Sequence, residues 1–298
     1  MFFAVKTLSG WNKMVINTKA YAKVNLSLDV LRRREDGYHD VKMIMQTVNI
    51  YDEITIEDAD EGISISSDAD FVPCDERNLM YKAAKLLMGE FNIIKGVKMH
   101  LNKNIPVEAG MAGGSTDAAS VLKAVNTLFD LGLSEKELME RGVRIGADVP
   151  YCVMGGTALS EGIGEVLTRI EGIPQCSVLI AKPPIGVSTK YVYENLHAGE
   201  LKWHPDVDGM IKCINAHDLA GIADRMSNVL ETVTVKKYPE IERIKQFMKE
   251  NGALNSIMSG SGPTVFGLYD NREKAAEAYE NLKKLDLTKQ LFLTEFAM

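Results

Sequence analysis

Residues 20–30 alternate without a fault. Ala20, Ala22, Val24, Leu26, Leu28 and Val30 are apolar, and Tyr21, Lys23, Asn25, Ser27 and Asp29 are polar or amphipathic. A period of two predicts a half-buried strand, with Lys23 and Asn25 on one face. Asp36-Gly37 is a turn signal, and Val41 to Ile56 predicts one or two further strands. From Asn78 to Phe91 the period becomes helical, with Leu79, Ala83, Leu86 and Leu87 on one stripe. Val97 to Leu101 alternates again. A loop from Asn104 to Gly114 then leads into a helix whose buried face carries Ala118, Leu122, Val125 and Phe129.

Ser134 and Glu137 predict a capping box, and Gly146 is placed to end the helix that follows. Ala147-Asp148-Val149-Pro150 reads as a short non-helical link forced by the proline. Glycines 155, 156, 162 and 164 punctuate a hairpin region. Composition changes near Gly172-Ile173-Pro174, which suggests two domains, 1–172 and 173–298. Beyond it the pattern predicts a strand over Ser177–Ala181, helices between Ser188 and Leu230, and a helix from Pro239 to Asn251. Pro239 stands at its first position and Gly252 just past its end. A strand, a glycine turn, a strand, a helix over Arg272–Lys284 and a last strand over Leu291–Phe296 close the chain. Setting aside the extra helices, the order is β-α-β-β-α-β, that of ferredoxin-like domains.

Composition narrows the function. The 298 residues carry 34 Lys plus Arg and 41 Asp plus Glu, a net charge of −7. With no basic block, nucleic acid is a poor expectation for a partner. No apolar run reaches the roughly 18 residues of a membrane helix. Met1-Phe2-Phe3-Ala4-Val5 lacks the basic start and cleavage site of a signal peptide. Cys74, Cys152, Cys176 and Cys213 are scattered, as in a reducing cytoplasm. The five histidines make no zinc spacing.

Five segments could carry chemistry. Pro106-Val107-Glu108-Ala109-Gly110-Met111-Ala112-Gly113-Gly114-Ser115-Thr116 is a glycine loop between a strand and a helix. Its backbone N–H groups and the helix N-terminus suit phosphate oxygens. It is neither a Walker A loop nor a dinucleotide fingerprint, and a plain glycine turn with a Ser/Thr cap is the competing interpretation. Asp148 is either a general base on a stiff frame or an aspartate bonded to its own turn. Lys23 alone reads as solvated. Ser259-Gly260-Ser261-Gly262-Pro263-Thr264 either approaches a ligand or makes a wide hairpin. Tyr38-His39 either stacks a flat base or packs on its own turn.

In this order the segments are far more specific than singly. The chain resembles the GHMP kinases, whose three signatures match the first strand region, the loop Pro106–Thr116 and the turn Ser259–Thr264. The phrases Ala22-Lys23-Val24-Asn25-Leu26, Asp36-Gly37-Tyr38-His39, Gly146-Ala147-Asp148-Val149-Pro150 and Lys182-Pro183-Pro184-Ile185-Gly186-Val187-Ser188-Thr189 narrow the match within the family. The resemblance runs from about Thr18 to the end. Met111 and Thr116 depart from the more usual leucine and serine. Met14-Val15-Ile16-Asn17 looks like a usual family start, so Met1–Lys13 reads as an extension or the product of an upstream start codon.

The resemblance implies an α+β fold: an N-terminal domain like ribosomal protein S5 domain 2, a C-terminal ferredoxin-like domain, and an active site in the cleft between them. It implies transfer of the ATP γ-phosphate to the 2-hydroxyl of a cytidylylated methylerythritol, a step of non-mevalonate isoprenoid synthesis. Lys23 and Asp148 then match the catalytic pair, and residues 106–116 and Asn78 the nucleotide side. Asn25, Tyr38, His39 and Thr189 match the acceptor side, with Tyr193 a second aromatic wall. Mg²⁺ is expected as ATP's companion, held mainly by phosphates and water. A GHMP kinase for homoserine, mevalonate or galactose, a catalytically dead sensor and an RNA-binding protein are the alternatives.

Overall fold

The computed structural model describes residues 5–9 and 13–297. Met1-Phe2-Phe3-Ala4, the start of the segment that lacks signal-peptide features, lies outside the described residues. Within Met1–Lys13, β1 (Val5–Ser9) pairs antiparallel with the start of β2 (Lys13–Arg33). The other elements are β3 (His39–Ala59), β4 (Ile63–Ser67), α1 (Leu79–Glu90), β5 (Gly96–Asn102), α2 (Gly113–Leu128), α3 (Glu135–Gly142), α4 (Val149–Met154), β6 (Thr157–Gly162) and β7 (Val166–Arg169). Then follow β8 (Ser177–Lys182), α5 (Thr189–Glu194), α6 (Val207–Asn215), α7 (Leu219–Arg225), β9 (Ser227–Asn228), α8 (Glu231–Lys237), α9 (Glu240–Glu250), β10 (Asn255–Met258), β11 (Val265–Tyr269), α10 (Arg272–Lys283) and β12 (Gln290–Glu295).

The chain forms two compact units that interleave in sequence. One comprises residues 1–22, 50–105 and 112–155, the other 23–49, 106–111 and 156–298. In the first, β5 pairs antiparallel with residues 53–59 of β3 and parallel with β4. One face of these strands is closed by α1 and α2, and α4 packs on both α2 and α3. The core there joins Ile16, Ile54 and Ile56 of the strands to Met80, Leu87, Val121, Leu122 and Val125 of the helices, all essentially sealed from water. The predicted helical stripe of α2 is thus its packed face, with Phe129 just beyond its end.

In the second unit, residues 41–46 of β3 pair with β6, and β6 pairs with β7. A separate antiparallel sheet has the order β10-β11-β8-β12. Numbered within that sheet, the order is 2-3-1-4, the ferredoxin-like arrangement predicted from the element order. α9 packs on β10 and β11, and α10 on β8, β11 and β12. Gly252, φ +88°, stands just past the C-cap Asn251 of α9, a conformation open to glycine. Pro239 sits at the N-cap, one position before the predicted one.

The structure corrects two expectations at residues 142–150. α3 ends at Gly142, not Gly146, although its capping box is present. A Cβ on Gly142 would stand 3.0 Å from Val149 Cγ1, so close packing of α4 sets that end. Pro150 forces no non-helical link. It occupies the first turn of α4, where a missing N–H leaves no intrahelical bond unmade. Among the described residues no helix is long and apolar enough to cross a membrane.

Candidate active site

The first unit gathers three of the predicted segments. α2 begins at Gly113 behind Ala112, which is left-handed at φ +56°. No side chain caps the helix, so the predicted Ser115 or Thr116 cap is absent and the first-turn N–H groups are left open toward an anion. A Cβ on Gly114 would meet Leu79 at 3.7 Å, which brings the start of α1 to the start of α2. Asn78 itself caps α1: its carbonyl accepts from Met80 N–H at 2.9 Å and its amide donates to the Pro73 carbonyl at 2.8 Å. A Cβ on Gly146 would lie 4.0 Å from Ser115 Oγ, so the Asp148 segment abuts the same helix start. Asp148 is half-buried, and its carboxylate makes no capping bond to α4.

The second unit gathers the rest. Both faces of β2 are covered from residue 22 to 30, against the half-buried expectation. Of its polar row Lys23, Asn25 and Asp29 are partnered within this unit, while the buried Ser27 hydroxyl is not. Lys23, 4% exposed, donates from Nζ to Asn25 Oδ1 at 2.7 Å, so it is not a solvated lysine. Asn25 Nδ2 donates toward Met43 Sδ, and Asp29 holds His204 Nδ1 at 2.9 Å. Lys23 N–H also donates to the Met111 carbonyl of the glycine loop.

The turn 259–264 is no wide hairpin but a buried bracket. Ser259 Oγ accepts from Asn25 N–H at 3.4 Å and donates to the Gly110 carbonyl at 2.9 Å. Gly110, φ +69°, must be glycine here, because a Cβ would collide with the Ser259 carbonyl. Asn228 Nδ2 donates to the Met258 and Gly260 carbonyls, both at 2.8 Å, and Thr189 Oγ1 meets Ser261 Oγ at 2.9 Å. The loop 106–111 also lies along Pro183–Ser188: a Cβ on Gly186 would stand 2.5 Å from Glu108 Oε2.

Comparison with known proteins decides what this arrangement belongs to. The family model "GHMP kinases N terminal domain" matches residues 78–156, and "GHMP kinases C terminal" matches 210–286.

The chain is a GHMP kinase.

Its curated relatives include the 4-diphosphocytidyl-2-C-methyl-D-erythritol kinase of Lachnoclostridium phytofermentans, 53% identical over 95% of this chain and 97% of that one. The enzyme of the same name from Lachnospira eligens is 52% identical over 94% and 98%. A crystal structure of a 4-(cytidine 5'-diphospho)-2C-methyl-D-erythritol kinase superposes with TM-score 0.81 at 28% identity, covering 95% of this chain and 99% of that one. An L. major mevalonate kinase shares the fold, with TM-score 0.74 at 19% identity over 99% and 98%.

In this GHMP kinase His39 and Tyr193 meet, ring centroids 5.2 Å apart at 43°. His39 is buried, and its Nε2 has no hydrogen-bond partner. Tyr38 points outward, 57% exposed, with its N–H donating to the Asp36 carboxylate. The structure therefore joins His39 to Tyr193 rather than to Tyr38. Asn228 and the buried ion cluster of Lys103, Asp52 and Asp117 escaped sequence reading. Asn228 carries no local motif, and Lys103 reads as an ordinary charge ahead of a loop.

Burial, and secondarily the Arg33 charge, hold the His39 imidazole below its usual value. The ring is thus neutral at pH 7 and loses that state only as pH falls through the depressed value. An NMR titration of the free protein is expected to show a His39 midpoint under the ordinary 6.5. A midpoint above it would contradict the buried, unpartnered placement.

Proposed function

We propose that the chain transfers the γ-phosphate of ATP to the 2-hydroxyl of 4-(cytidine 5'-diphospho)-2-C-methyl-D-erythritol, giving the 2-phosphate and ADP. The observation that carries this is identity near 50% over almost the whole length to several relatives of that name. The structural neighbour of the same name supports it. As a GHMP kinase the chain uses ATP as co-substrate. A boundary near Gly172 is part of the proposal, since the two family-model matches fall on either side of it. So are a cytoplasmic location and a small-molecule acceptor.

Phosphoryl transfer asks a protein mainly for positioning and charge stabilisation. In this proposal the 106–116 loop and the open first turn of α2 hold the donor phosphates, with Asn78 securing the neighbouring helix start. Asp148 takes the proton of the tertiary 2-hydroxyl as its oxygen attacks the γ-phosphorus and ADP leaves. Lys23 offsets charge on the group in flight, oriented by Asn25. The unpartnered Nε2 of His39 is available to a cytosine edge, beside the Tyr193 ring, and a neutral imidazole can donate or accept there. Tyr38 and Thr189 complete the acceptor side. Among the described residues no three His, Cys, Asp or Glu side chains gather to hold a metal ion. Mg²⁺ carried on the nucleotide phosphates and water would supply charge neutralisation there.

Asp148→Asn is expected to lower kcat about 10²–10⁴-fold, the usual loss of a positioned base, with ATP binding retained. Adding Lys23→Ala should cost much less than the two single losses combined. Near-normal turnover in folded Asp148→Asn would remove the assignment.

Gly113→Val places a branched side chain against Lys103 Nζ and Ile105 Cγ2, 3.0 and 3.2 Å from the Cβ position, at the head of α2. Calorimetry should show ATP weakened at least tenfold and the acceptor little changed. Equal weakening of both ligands would make the loop a structural hinge.

A further inference from the structure

Under the glycine loop lies a charge cluster that the proposed chemistry does not use. Lys103 follows β5, Asp52 belongs to β3, and Asp117 is in the second turn of α2. All three side chains are at most 4% exposed. Lys103 Nζ donates to Asp52 Oδ2 at 2.5 Å and to Asp117 Oδ2 at 2.8 Å. Asp52 Oδ1 also accepts the N–H groups of Asn104 and Ile105, at 2.6 and 2.7 Å. Asp117 Oδ1 is buried with no partner. A Cβ on Gly113 would stand 3.0 Å from Lys103 Nζ, so the ammonium sits directly beneath the first residue of α2.

The two carboxylates are not equivalent. Asp52 accepts from three donors, whereas Asp117 Oδ1 has none. Burial pushes the Asp117 carboxyl well above the usual range, against the pull of Lys103 and with repulsion from Asp52. Burial also works against the Lys103 charge, yet the two carboxylates outweigh it and hold its pKa above the usual lysine value. The ammonium is therefore fixed, and it balances the Asp52 charge. Without it a bare anion would lie under the helix end that faces the donor phosphates, and charges in a dry interior interact more strongly than in water.

We infer that Lys103 governs ATP binding without touching it: by neutralising Asp52 beneath Gly113, it keeps the N-terminus of α2 receptive to phosphate. The inference rests on residues 106–116 being the phosphate loop. Asp117, whose Oδ2 accepts from the same ammonium, completes the cluster.

The test is calorimetric titration of the full chain with a non-hydrolysable ATP analogue and, separately, with the cytidylylated acceptor. Lys103→Met should weaken the analogue at least tenfold and the acceptor less than twofold. Lys103→Met combined with Asp52→Asn removes both charges, while the Asn oxygen still accepts from Asn104 and Ile105. It should bind the analogue within about threefold of the parent. A double variant as weak as the single would overturn the inference, as would parallel loss of both ligands or no loss at all in Lys103→Met. Should Lys103→Met alone fail to fold, the double variant decides: parental analogue affinity supports the inference, and a tenfold loss overturns it. If Gly113→Val weakens the analogue and Lys103→Met does not, this inference fails alone. If neither weakens it, the phosphate-loop assignment fails with it.

Discussion

One buried hydroxyl ties together the candidate segments of the second unit. Ser259 Oγ accepts from the backbone of Asn25 and donates to the carbonyl of Gly110. Its own carbonyl lies so near Gly110 that no side chain fits there. The strand that carries Lys23, the loop ahead of α2 and the turn between β10 and β11 are thereby fixed to one point. Asn228 grips the same turn through two carbonyls, and Glu231 takes the Met258 N–H at 2.7 Å. Buried backbone groups in a glycine-rich turn are costly unless paired, and here side chains from the β9–α8 segment pair them.

The same accounting explains why polar residues line a fully covered strand. Lys23, Asn25 and Asp29 are tolerated inside because each has a named partner in the second unit. His39 Nε2 is a different case. Leaving a buried nitrogen unpaired costs free energy, a cost that a ligand able to bond it would relieve. In the first unit the uncapped start of α2 is the analogous feature, with Lys103 balancing the charge beneath it.

Much of this was legible in the chain. The alternation at 20–30, the stripe of α2, the capping box at Ser134 and the β-α-β-β-α-β order all appear in the structure, because each is dictated by neighbours in sequence. The glycine loop and the Asp148 segment were also visible as motifs. What escaped depends on contacts distant in sequence. The end of α3 is set by Val149 packing on Gly142, not by Gly146. The covering of the polar face of β2 comes from His204 and Ser259, about 175 and 230 positions away. The Lys103 cluster joins residues 52, 103 and 117, which no local motif links.

The most direct measurement is turnover of the purified chain with ATP across a panel of alcohols: the cytidylylated methylerythritol, homoserine, mevalonate and galactose. The account predicts ADP release in step with phosphorylation of the 2-hydroxyl of the cytidylylated substrate, seen by phosphorus NMR, and no comparable rate with the other three. Preference for any of those three, or phosphate delivered to another hydroxyl, would contradict it.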